Sequence, residues 1–129
     1  MKKKILIIED DSMLLSALIE WFSDEGYDVR GSSSVEDAFV LIDDKKPDVI
    51  LTDLVMANLD GFEVLERVNE TPDLNDVQVI IISNSGEDKD VERALALGAK
   101  DFIIKSDLSL KGIVERVKKV ISDSKRKSK

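Results

Sequence analysis

What most limits the folds open to this chain is a rhythm. Five short apolar runs each precede a helix-length stretch carrying an apolar stripe. The runs fall at residues 4–8, 27–31, 49–52, 77–82 and 102–104, and all but the second are rich in Ile, Val and Leu. The fourth run, Val77-Gln78-Val79-Ile80-Ile81-Ile82, is nearly all β-branched, as in a strand covered on both faces. The second, Tyr27-Asp28-Val29-Arg30-Gly31, is more polar and belongs at a sheet edge. Between the runs, apolar residues recur at helical spacing. They are Leu14, Ala17, Leu18, Trp21 and Phe22, then Val35, Ala38, Phe39 and Ile42. Val64, Leu65 and Val68 follow, then Val91, Ala94 and Leu95. The last stripe is Leu110, Ile113, Val114, Val117, Val120 and Ile121. Asp11 or Ser12 can cap the first helix and Ser34 the second. Gly26 and Gly98 stand where helices should end.

Five alternating strand–helix units predict an α/β fold, a (βα)5 parallel sheet with helices on both faces and right-handed crossovers. The doubly wound, flavodoxin-like order 2-1-3-4-5 places the topological switch point between the first and third strands. Those two strands end in Glu9-Asp10-Asp11 and in Asp53. The fourth strand ends at Ser83 and the fifth at Lys105, so the expected rim holds Glu9, Asp10 and Asp53, a lysine and a serine, with Asp11 left to the helix cap. Clustered carboxylates oppose one another's ionisation. Lys105 offsets one charge, and the remainder suits a hard divalent cation with oxygen ligands. An Asp carboxylate can attack phosphorus to give an acyl phosphate, a step that needs cations on the phosphoryl oxygens more than acid–base groups.

Composition narrows the chemistry. The chain has 129 residues, suited to one domain, and no cysteine or histidine. That excludes disulfides, thiol chemistry, histidine-ligated metals and the Ser-His-Asp triad. A net charge of −8 argues against nucleic acid as a partner of the globular part. No apolar run is long enough to span a bilayer. A cytoplasmic location and no membrane partner are the expectations, with residues 1–122 as the domain and 123–129 as a basic, disordered tail.

Ile7-Ile8-Glu9-Asp10-Asp11, Asp53-Leu54-Val55-Met56 with Asp60-Gly61, Ser83 and Lys105, in this order, resemble the receiver domain of two-component response regulators, of the single-domain chemotaxis type. The resemblance covers nearly the whole chain. It implies that Asp53 accepts a phosphoryl group from a partner's phosphohistidine in a Mg²⁺- or Mn²⁺-dependent reaction. Asp10 would ligate the metal directly, Glu9 through water, and Val55 through its backbone carbonyl. Lys105 would bind the phosphoryl group, Ser83 would move toward it, and Phe102 would be the switch aromatic. The implied protein is a signalling domain and not an enzyme, acting as a monomer or weak dimer. Its partners would be a histidine kinase or phosphotransfer protein and a downstream protein target.

Two positions depart from the family pattern: Ala57 and Ser106 stand where prolines are usual. A cis bond before a non-proline residue costs about 2.5–4 kcal/mol, which favours a trans Lys105–Ser106 bond. Val55 and Ser85 flank the site without a long polar side chain to orient water, and slow self-dephosphorylation is the expectation. Leu15 and Ile19 fall outside the core stripe of the first helix and are expected to face the phosphodonor. Three rivals stand beside this reading. A phosphohydrolase would want an acid at Val55. A flavin module would want a phosphate-cradling loop where Glu9-Asp10-Asp11 lies. A receiver-like module could bind partners without being phosphorylated.

Overall fold

The expected rhythm is realised as five long strands and five α-helices. The computed structural model describes residues 2–56 and 59–127. In chain order the elements are β1 (Lys4–Ile8), α1 (Ser12–Asp24), β2 (Asp28–Ser32), α2 (Val35–Asp44) and β3 (Val49–Asp53). Then come α3 (Gly61–Glu70), β4 (Gln78–Ser83), α4 (Asp88–Ala96), β5 (Asp101–Ile104) and α5 (Leu110–Lys127). All neighbouring strand pairs of the main sheet are parallel, in the order β2-β1-β3-β4-β5. This is the doubly wound order expected from the sequence. A two-residue antiparallel ribbon, Val55–Met56 against Leu59–Asp60, lies in the loop after β3 and has no counterpart in the sequence reading.

The sheet separates two cores by the period-two alternation of its strands. Leu6 and Ile8 of β1, Ile50 of β3, and Val79 and Ile81 of β4 face Val35, Ala38, Val64, Leu65 and Ala94 from α2, α3 and α4. Ile5, Ile7, Val49, Leu51, Ile80 and Ile82 face the other way, onto Leu18 and Phe22 of α1 and Ile113, Val114, Val117 and Ile121 of α5. Ile80, Ile81 and Ile82 are each at most 1% exposed although they point to alternate faces, as only a central strand allows. Burying each such side chain stabilises the fold by roughly 1.5–3 kcal/mol.

Local signals placed the helix ends well. The Asp11 carboxylate accepts from the backbone N–H groups of Met13 and Leu14 at 3.1 and 3.2 Å and caps α1. Ser34 caps α2 through the N–H of Asp37. Gly26 and Gly98 follow α1 and α4 with φ near +100°, where a side chain would be strained.

Several details differ from the sequence reading. On α1, only Leu18 and Phe22 are fully buried, while Leu14, Ala17 and Trp21 are half-buried along the flank. On α4, Ala94 alone is buried and Leu95 is 49% exposed. The helix ends at Ala96, and Leu97, just past it, packs against the core in its place. Helix α5 continues to Lys127, so residues 123–127 of the expected tail are helical. Leu15 and Ile19 are half-buried rather than free on the surface. A Cβ on Gly31 of β2 would fall 2.6 Å from Ile19 Cδ1 and 2.9 Å from Leu15 Cδ1, so both side chains lie over this glycine. The exposed apolar residue of α1 is Met13, at 83%. The Lys105–Ser106 bond is trans, and Lys105–Asp107 form one 3-10 turn. Among the described residues no helix is long and apolar enough to cross a membrane.

Candidate functional site

Register brings the acids together. β1 and β3 pair through Ile8 and Thr52, so Glu9 and Asp53, the next residue on each chain, leave adjacent strands at the same level. Asp53 in turn pairs with Ile82, and Ser83 with Ile104, one residue before Lys105. Four strand ends thus converge on one edge of the sheet, at the switch point.

Glu9 and Asp53 are 1% and 4% exposed, and Asp10 is exposed beside them. The Lys105 ammonium lies 3.1 Å from Asp53 Oδ2, a hydrogen bond, and 2.8 Å from Glu9 Oε1. The second contact is close enough for an ion pair but has no hydrogen-bond alignment, so the buried Glu9 Oε1 completes no hydrogen bond among the described residues. Glu9 Oε2 accepts from the backbone N–H of Asp11 at 3.0 Å. The same Asp11 therefore caps α1 with its side chain and pins Glu9 with its backbone.

Two carboxylates around one ammonium leave negative charge uncompensated in a poorly solvated place. Burial, and then the neighbouring Asp53 carboxyl, push the Glu9 pKa up from 4.5 to about 7. Burial alone would pull Lys105 down, but the Glu9 and Asp53 carboxylates outweigh it and hold the lysine above its ordinary value. Glu9, Asp10 and Asp53 each offer one carboxylate oxygen, and these lie within 4.8 Å of one another. A cluster of oxygens with one buried member lacking a hydrogen bond fits a hard divalent cation.

Ser83 is buried at the end of β4, and its hydroxyl is occupied by the next loop. It donates to the Ser85 carbonyl at 2.8 Å and accepts from the Ser85 N–H at 3.4 Å. That loop rests on β5: a Cβ on Gly86 would fall 2.5 Å from Ile104 Cδ1 and 3.8 Å from Phe102. Phe102 is half-buried and packs on the core facing α2, α3 and α4. Glu9, Asp10, Asp53 and Lys105 therefore share one pocket, while Ser83 and Phe102 are linked through the β4–α4 loop. Val55 lies in the short ribbon, and Ala57 falls outside the described residues.

Two residues at the site carried no strong sequence signal. Gly61 reads as part of an Asp-Gly turn. Its N–H donates to the Leu54 carbonyl at 2.6 Å, and a Cβ there would fall 2.6 Å from the backbone oxygen of Asp53. Only glycine allows that approach. Thr52 reads as one more β-branched strand residue. It is fully buried, and its hydroxyl donates to the Asp53 carbonyl at 3.0 Å.

A doubly wound sheet with carboxylates and a lysine grouped at its switch point defines a receiver-type signalling module. The chain belongs to the response regulator receiver domain family, whose model matches residues 5–118. It is 30% identical over 126 residues to the transcriptional regulatory protein AfsQ1 of Streptomyces coelicolor, covering 93% of this chain and 55% of that protein. It is 31% identical over 115 residues to the regulator of RpoS of Escherichia coli K12, covering 89% of this chain and 34% of that protein. The chain thus spans about half or less of the length of these curated relatives. Among solved structures, the non-phosphorylated HemR receiver domain of Leptospira biflexa superposes with a TM-score of 0.85 at 27% identity, covering 94% of this chain and 95% of that one. A CheY-like receiver domain protein of Methanospirillum hungatei shares the fold at a TM-score of 0.87 and 21% identity, covering 99% of this chain and all of that one.

Proposed function

We propose that this domain accepts a phosphoryl group on Asp53 from the phosphohistidine of a partner histidine kinase or phosphotransfer protein, and that the modification switches a protein-interaction surface. The observation that carries this is the Asp53 carboxylate: buried, at a strand end, and held by the Lys105 ammonium at 3.1 Å. A buried carboxylate with one flexible cation against it is a nucleophile with its counter-charge in place. In the transfer, an Asp53 oxygen forms a bond to phosphorus as the phosphorus–nitrogen bond of the donor breaks. The electron pair of that bond remains on the imidazole nitrogen. Lys105, freed from full commitment to Asp53, can follow the charge onto the phosphoryl oxygens.

Glu9, Asp10 and Asp53, with the backbone carbonyl of Val55, would hold Mg²⁺ or Mn²⁺. The ion would supply neutralisation of phosphoryl charge. Ser83 would exchange its bonds to Ser85 for one to the phosphoryl group, and the loop resting on Ile104 and Phe102 would transmit the change. This is a population shift triggered by local electrostatics. The donor would dock on α1, where Leu15 and Ile19 keep part of their surface exposed. The downstream target is a protein, and the proposed setting is the cytoplasm.

Incubation with Mg²⁺ and acetyl phosphate, read by intact mass, tests the reading. One phosphoryl adduct is expected in the wild type and none in Asp53→Asn. A wild type that never gains the adduct sinks it, and repeated turnover of the donor without an adduct indicates a hydrolase instead.

A further inference from the structure

We infer that Thr52 is a positioning residue for the acceptor, its hydroxyl holding the backbone of Asp53 so that the carboxylate meets Lys105. The inference rests on the acceptor reading of Asp53 and adds to it a residue that touches none of the reacting atoms.

The chain leaves the sheet at Asp53, and three hydrogen bonds fix how it does so. The β1–β3 register ends at Ile8 and Thr52, so the carbonyl of Asp53 lies past the last rung shared with β1. That carbonyl accepts the Thr52 hydroxyl at 3.0 Å. The other end of the same peptide unit, the N–H of Leu54, donates to the Ile82 carbonyl at 3.0 Å. The following carbonyl, of Leu54, accepts the N–H of Gly61 at 2.6 Å. Two of these bonds are backbone to backbone and survive any substitution that keeps the fold. The Thr52 bond depends on a side chain, and it anchors the peptide plane that directs the Asp53 side chain.

Packing alone gives no reason for a threonine here. Position 52 is 0% exposed in a β3 that is buried throughout, flanked by Ile50, Leu51 and Leu54. Valine has nearly the same shape and brings no hydroxyl into the core, where a polar group without a partner is costly. Among the described residues the hydroxyl is accounted for by one acceptor, the carbonyl of Asp53 itself. Gly61 completes the enclosure: the space beside the Asp53 oxygen is so close that no Cβ fits at position 61. The Asp53 backbone is thus gripped from both sides, and the 3.1 Å contact to Lys105 is set by that grip. Small misplacements of a nucleophile carry large losses of rate.

The test compares Thr52→Val and Thr52→Ser with the wild type at increasing acetyl phosphate in Mg²⁺. Thr52→Val is expected to lower the saturating rate of adduct formation about tenfold, which corresponds to about 1.4 kcal/mol. The half-saturating donor concentration is expected to stay the same. Thr52→Ser keeps the hydroxyl and is expected to recover to within about twofold of the wild type, the scale of a lost methyl contact alone. A valine variant with the wild-type saturating rate, or a serine variant as slow as valine, overturns the inference. The ¹³C resonance of the Asp53 carboxyl, recorded without any phosphodonor, gives an independent reading. It should shift in Thr52→Val and return in Thr52→Ser. If the wild type takes no phosphoryl group, the acceptor reading falls, and an unmoved carboxyl resonance in Thr52→Val still decides against the positioning role.

Discussion

Glu9 occupies a position that disfavours its own charge. Its side chain is sealed beneath the loop that begins α1, one oxygen held by the N–H of Asp11 and the other near Lys105 without an aligned hydrogen bond. Its elevated pKa links it to stability. Between pH 4.5 and about 7 the folded, metal-free protein binds more protons than the unfolded chain, so this group's contribution is complete below 4.5 and lost as pH rises through 7. The difference is on the order of 3 kcal/mol. The raised pKa of Lys105 acts only above its ordinary 10.5, and the lowered values of Asp28 and Asp76 act below 3.8, so none of them masks the window. Urea unfolding in chelator at pH 5 and at pH 7.5 should show the wild type losing stability over this range relative to Glu9→Gln. Parallel pH profiles for the two proteins would refute the assignment. Gly61 makes a second residue-scale case. Gly61→Ala must move either the Asp53 backbone or the start of α3, and a loss of about 1–3 kcal/mol in unfolding free energy is expected, the scale of overpacking. Stability equal to the wild type would mean the approach is not tight.

Helices in this molecule are delimited by side chains that also serve their neighbours. Asp11 ends the acidic strand terminus of β1 and begins α1, and Asp11→Ala should cost about 1 kcal/mol because two N–H groups lose their acceptor. An unchanged urea midpoint would show that water replaces the cap at no cost. Helix α3 is held on both flanks by stacked arginines. Arg67 lies 3.8 Å from the Phe39 ring centre of α2, and Arg93 of α4 lies 4.0 Å from that of Phe62. Periodicity revealed that these helices exist, but not which residue closes each stripe. Counting forward from Val91 assigned Leu95 to the core, yet the helix stops one residue later and the Gly98 turn brings Leu97 inward instead. The partial burial of Leu15 and Ile19 has a related reason. Their place is set by a glycine on β2, sixteen and twelve residues further along, which no local pattern on α1 reveals.

For the molecule as a whole, strand order and the location of the site were legible because two strong patterns agreed. Five strand-length runs, four of them dominated by Ile, Val and Leu, alternate with helices, and charged residues stand at the ends of the first, third and fifth runs. What could not be read was mutual arrangement. The sequence offers Lys105 and three acids but does not say that the ammonium lies between Glu9 and Asp53. Nor does it say that a buried threonine hydroxyl turns along its own strand. The chain's far end is a further case: basic composition suggested a tail from residue 123, while α5 runs on to Lys127. Ile121 is the last buried position described on α5, so removing residues 123–129 should change the unfolding free energy by less than about 1 kcal/mol. A larger loss would show that the extension packs on the domain.

The ion pair between Asp53 and Lys105 joins residues 52 positions apart. Asp53 lies on the middle strand of the sheet, whereas Lys105 reaches it only after β5 has paired with β4. A chain still being synthesised, or one whose last strand has come loose, holds its acids without their lysine. On the proposed reading, such a chain would carry the acceptor carboxylate without the cation that stands beside it in the folded domain. If Asp53 is the acceptor, a copy whose β5 is unpaired would take up phosphoryl groups poorly, so the signal would pass only through completed domains.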